Sequence, residues 1–162
     1  MLKLVEITRE NWLKVLFLTS NENGMPTLCE EYVASNALSL VQAQFENGWF
    51  TKAIEVEDEI VGFTMYGFCE EHNFYELCRI MIDKKYQGKG WGTQAIKLVL
   101  EDMKLIAGCR EVYLSTDSNN LIGKHVYEKI GFVAVNRKID DEDLYKYVFS
   151  EGGNGAGCSC II

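Results

Sequence analysis

Three glycines at alternate positions, Gly88, Gly90 and Gly92, punctuate the segment Tyr86-Gln87-Gly88-Lys89-Gly90-Trp91-Gly92-Thr93, which joins an apolar, β-prone run to an amphipathic helical one. No other feature restricts the fold as much. A strand that passes through such a loop into a helix, with a further strand after it, requires a right-handed crossover between parallel strands. With hairpins elsewhere in the chain, a uniform doubly wound sheet is excluded. The glycines also clear side chains from the place where the first N–H groups of the helix point outward. The helix dipole adds about half a positive charge at that spot. Such a helix start suits a phosphate or pyrophosphate, with Lys89 as a rim cation and Thr93 as a hydroxyl donor. The spacing is neither G-x-x-x-x-G-K-[ST] nor G-x-G-x-x-G, the third glycine coming one residue early for the latter, so the usual triphosphate and dinucleotide cradles do not apply. A glycine-rich helix start that holds no ligand is the plain alternative.

Around this loop the periodicity reads as β-α-α-β-β-β-α-β-α-β-β. Residues 3–7 form a short strand, and Thr8 is placed to cap a first helix whose inner face carries Trp12, Val15 and Leu16. Over residues 30–45, Val33, Ala37, Val41 and Phe45 recur every four positions, the mark of an amphipathic helix. Residues 50–56, 60–68 and 74–83 are three strands, the first two joined at Glu57-Asp58. Ala95, Leu98, Val99, Met103 and Ile106 line the helix after the glycines, which Gly108 ends. Residues 111–116 are a strand, 120–130 a helix closed by Gly131, and 132–137 and 143–149 the last strands. Hairpins plus one crossover give an α/β (α+β) domain, a mixed sheet with helices on both faces.

At 162 residues the chain is long enough for one domain. That domain is expected over residues 1–150, with a flexible tail containing glycine and cysteine at 151–162. Its 48% apolar and 12% aromatic residues suffice for one core and exclude a disordered chain. There are 16 basic and 24 acidic side chains, a net charge of −8. A nucleic-acid partner is argued against, since a phosphate-backbone binder needs a basic field first. A cationic substrate is compatible with the charge. No apolar run reaches the roughly 18–20 residues of a membrane span, and Met1-Leu2-Lys3-Leu4-Val5-Glu6 meets an acid too soon for a signal peptide. A cytoplasmic protein is expected. Cys29, Cys69, Cys78 and Cys109 stand singly among apolar or aromatic neighbours, as core thiols do, while Cys158 and Cys160 lie in the tail. With no C-x-x-C pair, no metal site is expected.

Gln87-x-x-Gly90-x-Gly92 resembles the pyrophosphate-loop pattern Q/R-x-x-G-x-G/A of the GCN5-related N-acetyltransferase (GNAT) superfamily. The run Arg79-Ile80-Met81-Ile82-Asp83-Lys84-Lys85-Tyr86 precedes it as the superfamily's loop strand does. The stretch from Asn120 through Tyr127-Glu128-Lys129-Ile130-Gly131-Phe132 is similar to N-x-x-A-x-x-x-Y-E-K-x-G-F, with Gly123 in place of the alanine. In element order the likeness covers residues 3–149. More narrowly, Tyr32-Val33-Ala34-Ser35-Asn36-Ala37-Leu38-Ser39-Leu40 and Val61-Gly62-Phe63-Thr64-Met65-Tyr66-Gly67 resemble the bacterial spermine/spermidine (diamine) acetyltransferases. The resemblance implies a mostly antiparallel sheet of seven strands or so, acetyl-CoA as co-substrate, and no metal. It implies acetyl transfer to a primary amine, a di- or polyamine first, by direct attack in a ternary complex. Another amine (an aminoglycoside or a protein N-terminus) and a CoA-binding module without catalysis stay open beside it. The implied partner is a small amine, with a homodimer as a further option.

By the same resemblance, the backbone of Ile80, Met81 and Ile82 would hold the pantetheine as a neighbouring strand. Gln87, Gly88, Lys89, Gly90, Trp91, Gly92 and Thr93 would hold the pyrophosphate, a backbone N–H near Ile82 would face the developing oxyanion, and Asn120 would cap its helix and touch the cofactor. Tyr127 stands where many members place a hydroxyl near the sulfur, and a phenol with a pKa near 10 suits a thiolate leaving group. Packing beneath the sheet is the other use of such an aromatic. An alkyl amine arrives protonated and needs a base. Several diamine enzymes carry a glutamate on the strand before the loop, at positions held here by Leu77 and Cys78. Glu76 shares the face of Cys78 by strand alternation unless a bulge intervenes, and is the candidate base; a solvated strand end is the alternative. Glu30 with Glu31, and Glu70 with Glu71, are acidic pairs placed to hold a polyamine, or else cap and turn charges. His72, alone in a loop, is given no role.

Overall fold

Glu57 and Asp58 adopt φ of 51° and 65°, and Asp140 and Asp141 adopt 49° and 66°. Two successive residues at positive φ make the two-residue turn whose twist matches paired strands. The first turn joins β2 (Trp49–Val56) to β3 (Glu59–Cys69), and the second joins β6 (Val133–Ile139) to β7 (Glu142–Val148). With β1 (Leu2–Glu6), β4 (Phe74–Ile82) and β5 (Glu111–Thr116) they form a seven-stranded sheet in the order β1-β2-β3-β4-β5-β7-β6. All neighbours are antiparallel except β4 and β5, which are parallel. The computed structural model describes residues 1–20 and 35–150. The expectations for residues 21–34 and 151–162, including those for Cys29, Glu30, Glu31, Cys158 and Cys160, lie outside the described residues.

Helices cover both faces, as expected. α1 (Trp12–Leu16) and α2 (Asn36–Phe45) pack Val15, Leu40 and Ala43 against Ala53, Phe63, Met65 and Met81. α3 (Trp91–Lys104) and α4 (Leu121–Ile130) lie on the other face. There Ile96, Val99, Met103 and Tyr127 meet Tyr66, Leu77, Val112, Leu114 and Tyr145. The cap expected at Thr8 moves to Asn11: Thr8 opens the turn, its carbonyl accepting the N–H groups of Asn11 and Trp12. Among the described residues, no helix is long and apolar enough to cross a membrane.

α2 turns a different face to the sheet from the one its apolar spacing predicts. Val41 and Phe45 are 53% and 85% exposed, while Asn36 and Ser39 are buried. Asn36 decides the rotation, its Nδ2 donating to the Val15 carbonyl over 2.8 Å in a buried bond that ties α2 to α1. A buried amide with a partner outweighs a stripe of apolar residues without one. α3 also differs at its margins. Ile96 and Leu100 join Ala95, Val99 and Met103 inside, and the helix stops at Lys104, short of Gly108.

The sheet opens in one place. β4 and β5 share a single register pair, Glu76 with Tyr113, and part beyond it. Opposite, Met65 of β3 faces Arg79 and Tyr66 faces Leu77, so Cys78 is an extra residue that bends β4 at the point of parting. α3 follows β4 and α4 follows β5, so both helix N-termini stand at the carboxyl ends of two diverging parallel strands. That is where α/β folds bind ligands.

Candidate active site

The β4 wall of the gap presents backbone. Asp83 N–H donates to the Val61 carbonyl at 2.8 Å. By antiparallel alternation the amide and carbonyl of Ile80 and Ile82 then point away from β3, into the gap, whereas those of Met81 pair with Phe63. Gln87 Nε2 takes the Ile82 carbonyl at 3.0 Å and the Ser20 carbonyl at 3.3 Å. Buried Asp83 accepts from the N–H groups of Thr19 and Lys85. The base of the loop is thereby tied to β4 and to the segment after α1.

Above that base the loop is cleared for a ligand. Gly88 and Gly90 both have φ of 76°, which favours glycine, and a Cβ at either would meet no heavy atom within 4 Å. At Gly92 a Cβ would lie 3.8 Å from Ile82 Cγ1. Gly90 caps α3, Gln94 N–H makes the first bond inside the helix, to the Gly90 carbonyl, and the first turn carries no acid. The amides ahead of Gln94 face outward with the positive end of the dipole. The Lys89 ammonium sits 5.4 Å from the Tyr86 ring and 4.8 Å from the Trp91 ring, braced at the rim. The outward amides, the dipole and the Lys89 charge together favour an anion at this helix start.

The α4 wall carries Asn120 and Tyr127. Asn120 Oδ1 accepts the Gly123 N–H at 2.9 Å, and its Nδ2 donates to Thr116 Oγ1 at 2.9 Å. A Cβ on residue 123 would lie 2.4 Å from Asn120 Nδ2 in this side-chain conformation. Tyr127 packs its ring near Phe132 and Tyr145, at 6.2 and 6.3 Å. Its hydroxyl is hydrogen-bonded with Thr116, at the end of β5. Burial pushes this phenol up to about 12, a charged Glu142 adds to the rise, and the Thr116 bond only partly opposes it. Tyr127 is thus both a core aromatic and a hydroxyl at the gap, and a weaker acid than its type suggests.

Glu76 stands on the opposite face. Leu77 packs toward α3 while Cys78 and Met81 pack toward α1. Alternation therefore holds from Glu76 to Cys78 and breaks only after Cys78, where the bulge lies. Glu76 is 8% exposed and is no solvated strand end. Burial raises its carboxyl above the usual range, against the pull of His72, of Arg79 and of a Cys69 thiol hydrogen bond. The neighbouring Cys78 thiol is pushed up to about 12 by burial and is inert.

Glu70 and Glu71 are exposed on the turn between β3 and β4. The same turn brings His72 to Glu76, with Nδ1 3.6 Å from Oε2. Sequence spacing gave no sign of this, because a chain reversal rather than a helix returns His72 over the strand. Cys69, His72 and Glu76 bring sulfur, nitrogen and oxygen atoms within 4.8 Å of one another. Burial favours the protonated Glu76 carboxyl, and the Arg79 charge, like His72, pulls toward the ionised form.

Comparison with known proteins bears on the fold that carries these residues. A model of the Acetyltransferase (GNAT) family matches residues 10–132. The spermine/spermidine N(1)-acetyltransferase of Bacillus subtilis strain 168 is 28% identical over 132 residues, 78% of this chain and 84% of that protein. The crystal structure of spermidine N-acetyltransferase from Vibrio cholerae in complex with CoA and spermine superposes with a TM-score of 0.69 at 22% identity, covering 90% of this chain and 92% of the other. A Salmonella typhimurium acetyltransferase that modifies the N-terminal serine of a 50S ribosomal subunit protein superposes at 0.67 with 11% identity, covering 92% and 95%. At such identities the likeness is one of fold, and that fold serves more than one acceptor.

Proposed function

The chain belongs to the GNAT acetyltransferase family, and from that membership we propose that it transfers the acetyl group of acetyl-CoA to a primary amine of a di- or polyamine, by direct attack in a ternary complex. One pairing supports the reading: buried Glu76 sits at the last paired position before β4 and β5 part, on one face of the sheet, and the buried Tyr127 hydroxyl, bonded with Thr116 at the end of β5, lies on the other. An acetyl group held in the gap meets a base on the amine side and a proton donor on the thiol side.

The cradle of Gln87, Gly88, Lys89, Gly90, Trp91, Gly92 and Thr93 takes the pyrophosphate. Ile80 and Ile82 offer their backbone to the pantetheine, with Met81 turned to β3, and the Ile82 N–H serves the oxyanion. Asn120 orders the start of α4 beside them. The ammonium gives one proton to Glu76, the amine adds to the thioester carbon to form the C–N bond, and the oxyanion collapses with cleavage of the C–S bond. The thiolate takes a proton from Tyr127, which regains one from the nitrogen that has become an amide. The net proton leaves through Glu76.

The polyamine preference is supported by the names of the relatives, by the charge of −8 and by acids on the described surface such as Glu70 and Glu71. The experiment is a steady-state amine panel with acetyl-CoA and thiol detection: spermine, spermidine, a monoamine, an aminoglycoside and a peptide with a free N-terminus. The expected order places spermine and spermidine first in kcat/KM. Acetylation of the peptide or aminoglycoside alone overturns the polyamine assignment and leaves the transfer chemistry standing.

A further inference from the structure

Glu76 has a neighbour that the transfer chemistry above does not use. His72 Nδ1 lies 3.6 Å from Glu76 Oε2, and among the described residues that buried nitrogen has no partner within ordinary hydrogen-bond distance. The ring is well braced. Asn73 takes φ of 58° and returns its N–H to the Cys69 carbonyl at 2.8 Å, folding the turn back over β4. The imidazole leans on Phe74 at 5.2 Å, Phe74 stacks on Tyr113 at 4.4 Å, and Tyr113 is the register partner of Glu76. Turn, ring stack and strand ladder converge on one carboxylate.

We propose that His72 is a positioning residue which, through Nδ1, fixes the Glu76 carboxylate at the strand gap and sets how tightly it holds the proton taken from the amine. The proposal rests on the reading of Glu76 as the base. Other groups stand around the carboxylate among the described residues. Cys69 faces it from β3, Cys78 and Arg79 from β4, and Tyr113 from β5. Glu111 accepts the Tyr113 hydroxyl, Lys146 of β7 lies over the Tyr113 ring, and Glu46, just beyond α2, acts on Cys78. Burial favours the protonated acid, and His72 is foremost among the groups that oppose it, ahead of Arg79 and Cys69. Without His72 burial acts with less opposition, so Glu76 takes up its proton at higher pH.

The test is a carbon-detected NMR titration of the Glu76 carboxyl, assigned by its loss in Glu76→Gln, on the whole protein and on its His72→Phe and His72→Asn variants. It is paired with the pH profile of kcat/KM for spermidine. In His72→Phe the Glu76 titration is expected to move up by about one pH unit, with kcat/KM about tenfold lower on the acid limb and near wild type at alkaline pH. His72→Asn keeps a donor at the place of Nδ1 and is expected to fall between. If His72→Phe does not fold, the Asn variant carries the comparison. An unmoved Glu76 titration overturns the proposal, as does a kcat/KM lowered by one factor at every pH. Failure of the base assignment looks different: Glu76→Gln would then turn over like wild type, while the titration would still report the effect of His72 directly.

Discussion

Gly92→Val separates the cradle from the fold. Gly92 lies inside the first turn of α3 without the positive φ that holds Gly88 and Gly90 as glycine, and a Cβ there makes only an ordinary 3.8 Å contact with Ile82 Cγ1. The free protein has room for the substitution. Valine is a moderate helix former and glycine a poor one, so stability should change by less than about 1 kcal/mol. The ligand has no such room, because the branched side chain projects beside the outward amides that the glycines clear. If a pyrophosphate is pushed off two of those amides, each charge-assisted bond costs about 1.5–3 kcal/mol. A loss near the lower sum, ~3 kcal/mol, raises the acetyl-CoA Kd roughly 100-fold. Calorimetric titration with acetyl-CoA, alongside a thermal melt, reads both numbers. A variant that melts like wild type and binds within about threefold of it would refute the cradle.

Tyr127→Phe keeps the ring and removes the hydroxyl, so kcat at saturating amine should fall by about 10²–10⁴-fold with little change in acetyl-CoA affinity; near-normal turnover would reduce Tyr127 to packing. Because burial holds this phenol near 12, no loss of rate from its ionisation is expected through the ordinary assay range. Glu76→Gln should abolish most turnover yet stabilise the fold. The raised carboxyl binds its proton more tightly folded than unfolded, so its favourable contribution, full below the unfolded pKa, is lost as pH rises through the folded one. The glutamine variant should therefore melt higher than wild type at pH near 8, with a smaller gain in acid. Gly123→Ala puts a Cβ against the Asn120 side chain and should cost about 1 kcal/mol through the lost cap, read by denaturant melts.

Local chemistry made most of the fold legible. The apolar runs at β2, β3 and β5 were readable because each meets a turn residue at both ends, and Gly131 closes α4 at φ of 117°, as a helix-ending glycine does. The strand–glycine–helix junction was readable because few structures require it. α2 was misread where Asn36, a buried polar residue with a distant partner, set the rotation; spacing carries no trace of a bond to Val15 twenty-one residues away. On the site, the proposed cradle lies in consecutive residues, so its glycine spacing is legible in the sequence. Glu76 needed the position of the bulge, which depends on how β3 pairs with β4. His72 was invisible, since its partnership with Glu76 exists only after the hairpin turn closes.

The central claim is spatial: donor and acceptor meet in the gap between β4 and β5 from opposite faces of the sheet. The measurement that tests it most directly is a crystal structure of the dead-end complex with CoA and spermine. The expected result places the pyrophosphate on the amides of Gly88 to Thr93, the sulfur within hydrogen-bond reach of the Tyr127 hydroxyl, and one spermine nitrogen on the Glu76 side of the gap. A sulfur remote from Tyr127, or a spermine bound on the α3 and α4 face, would contradict it.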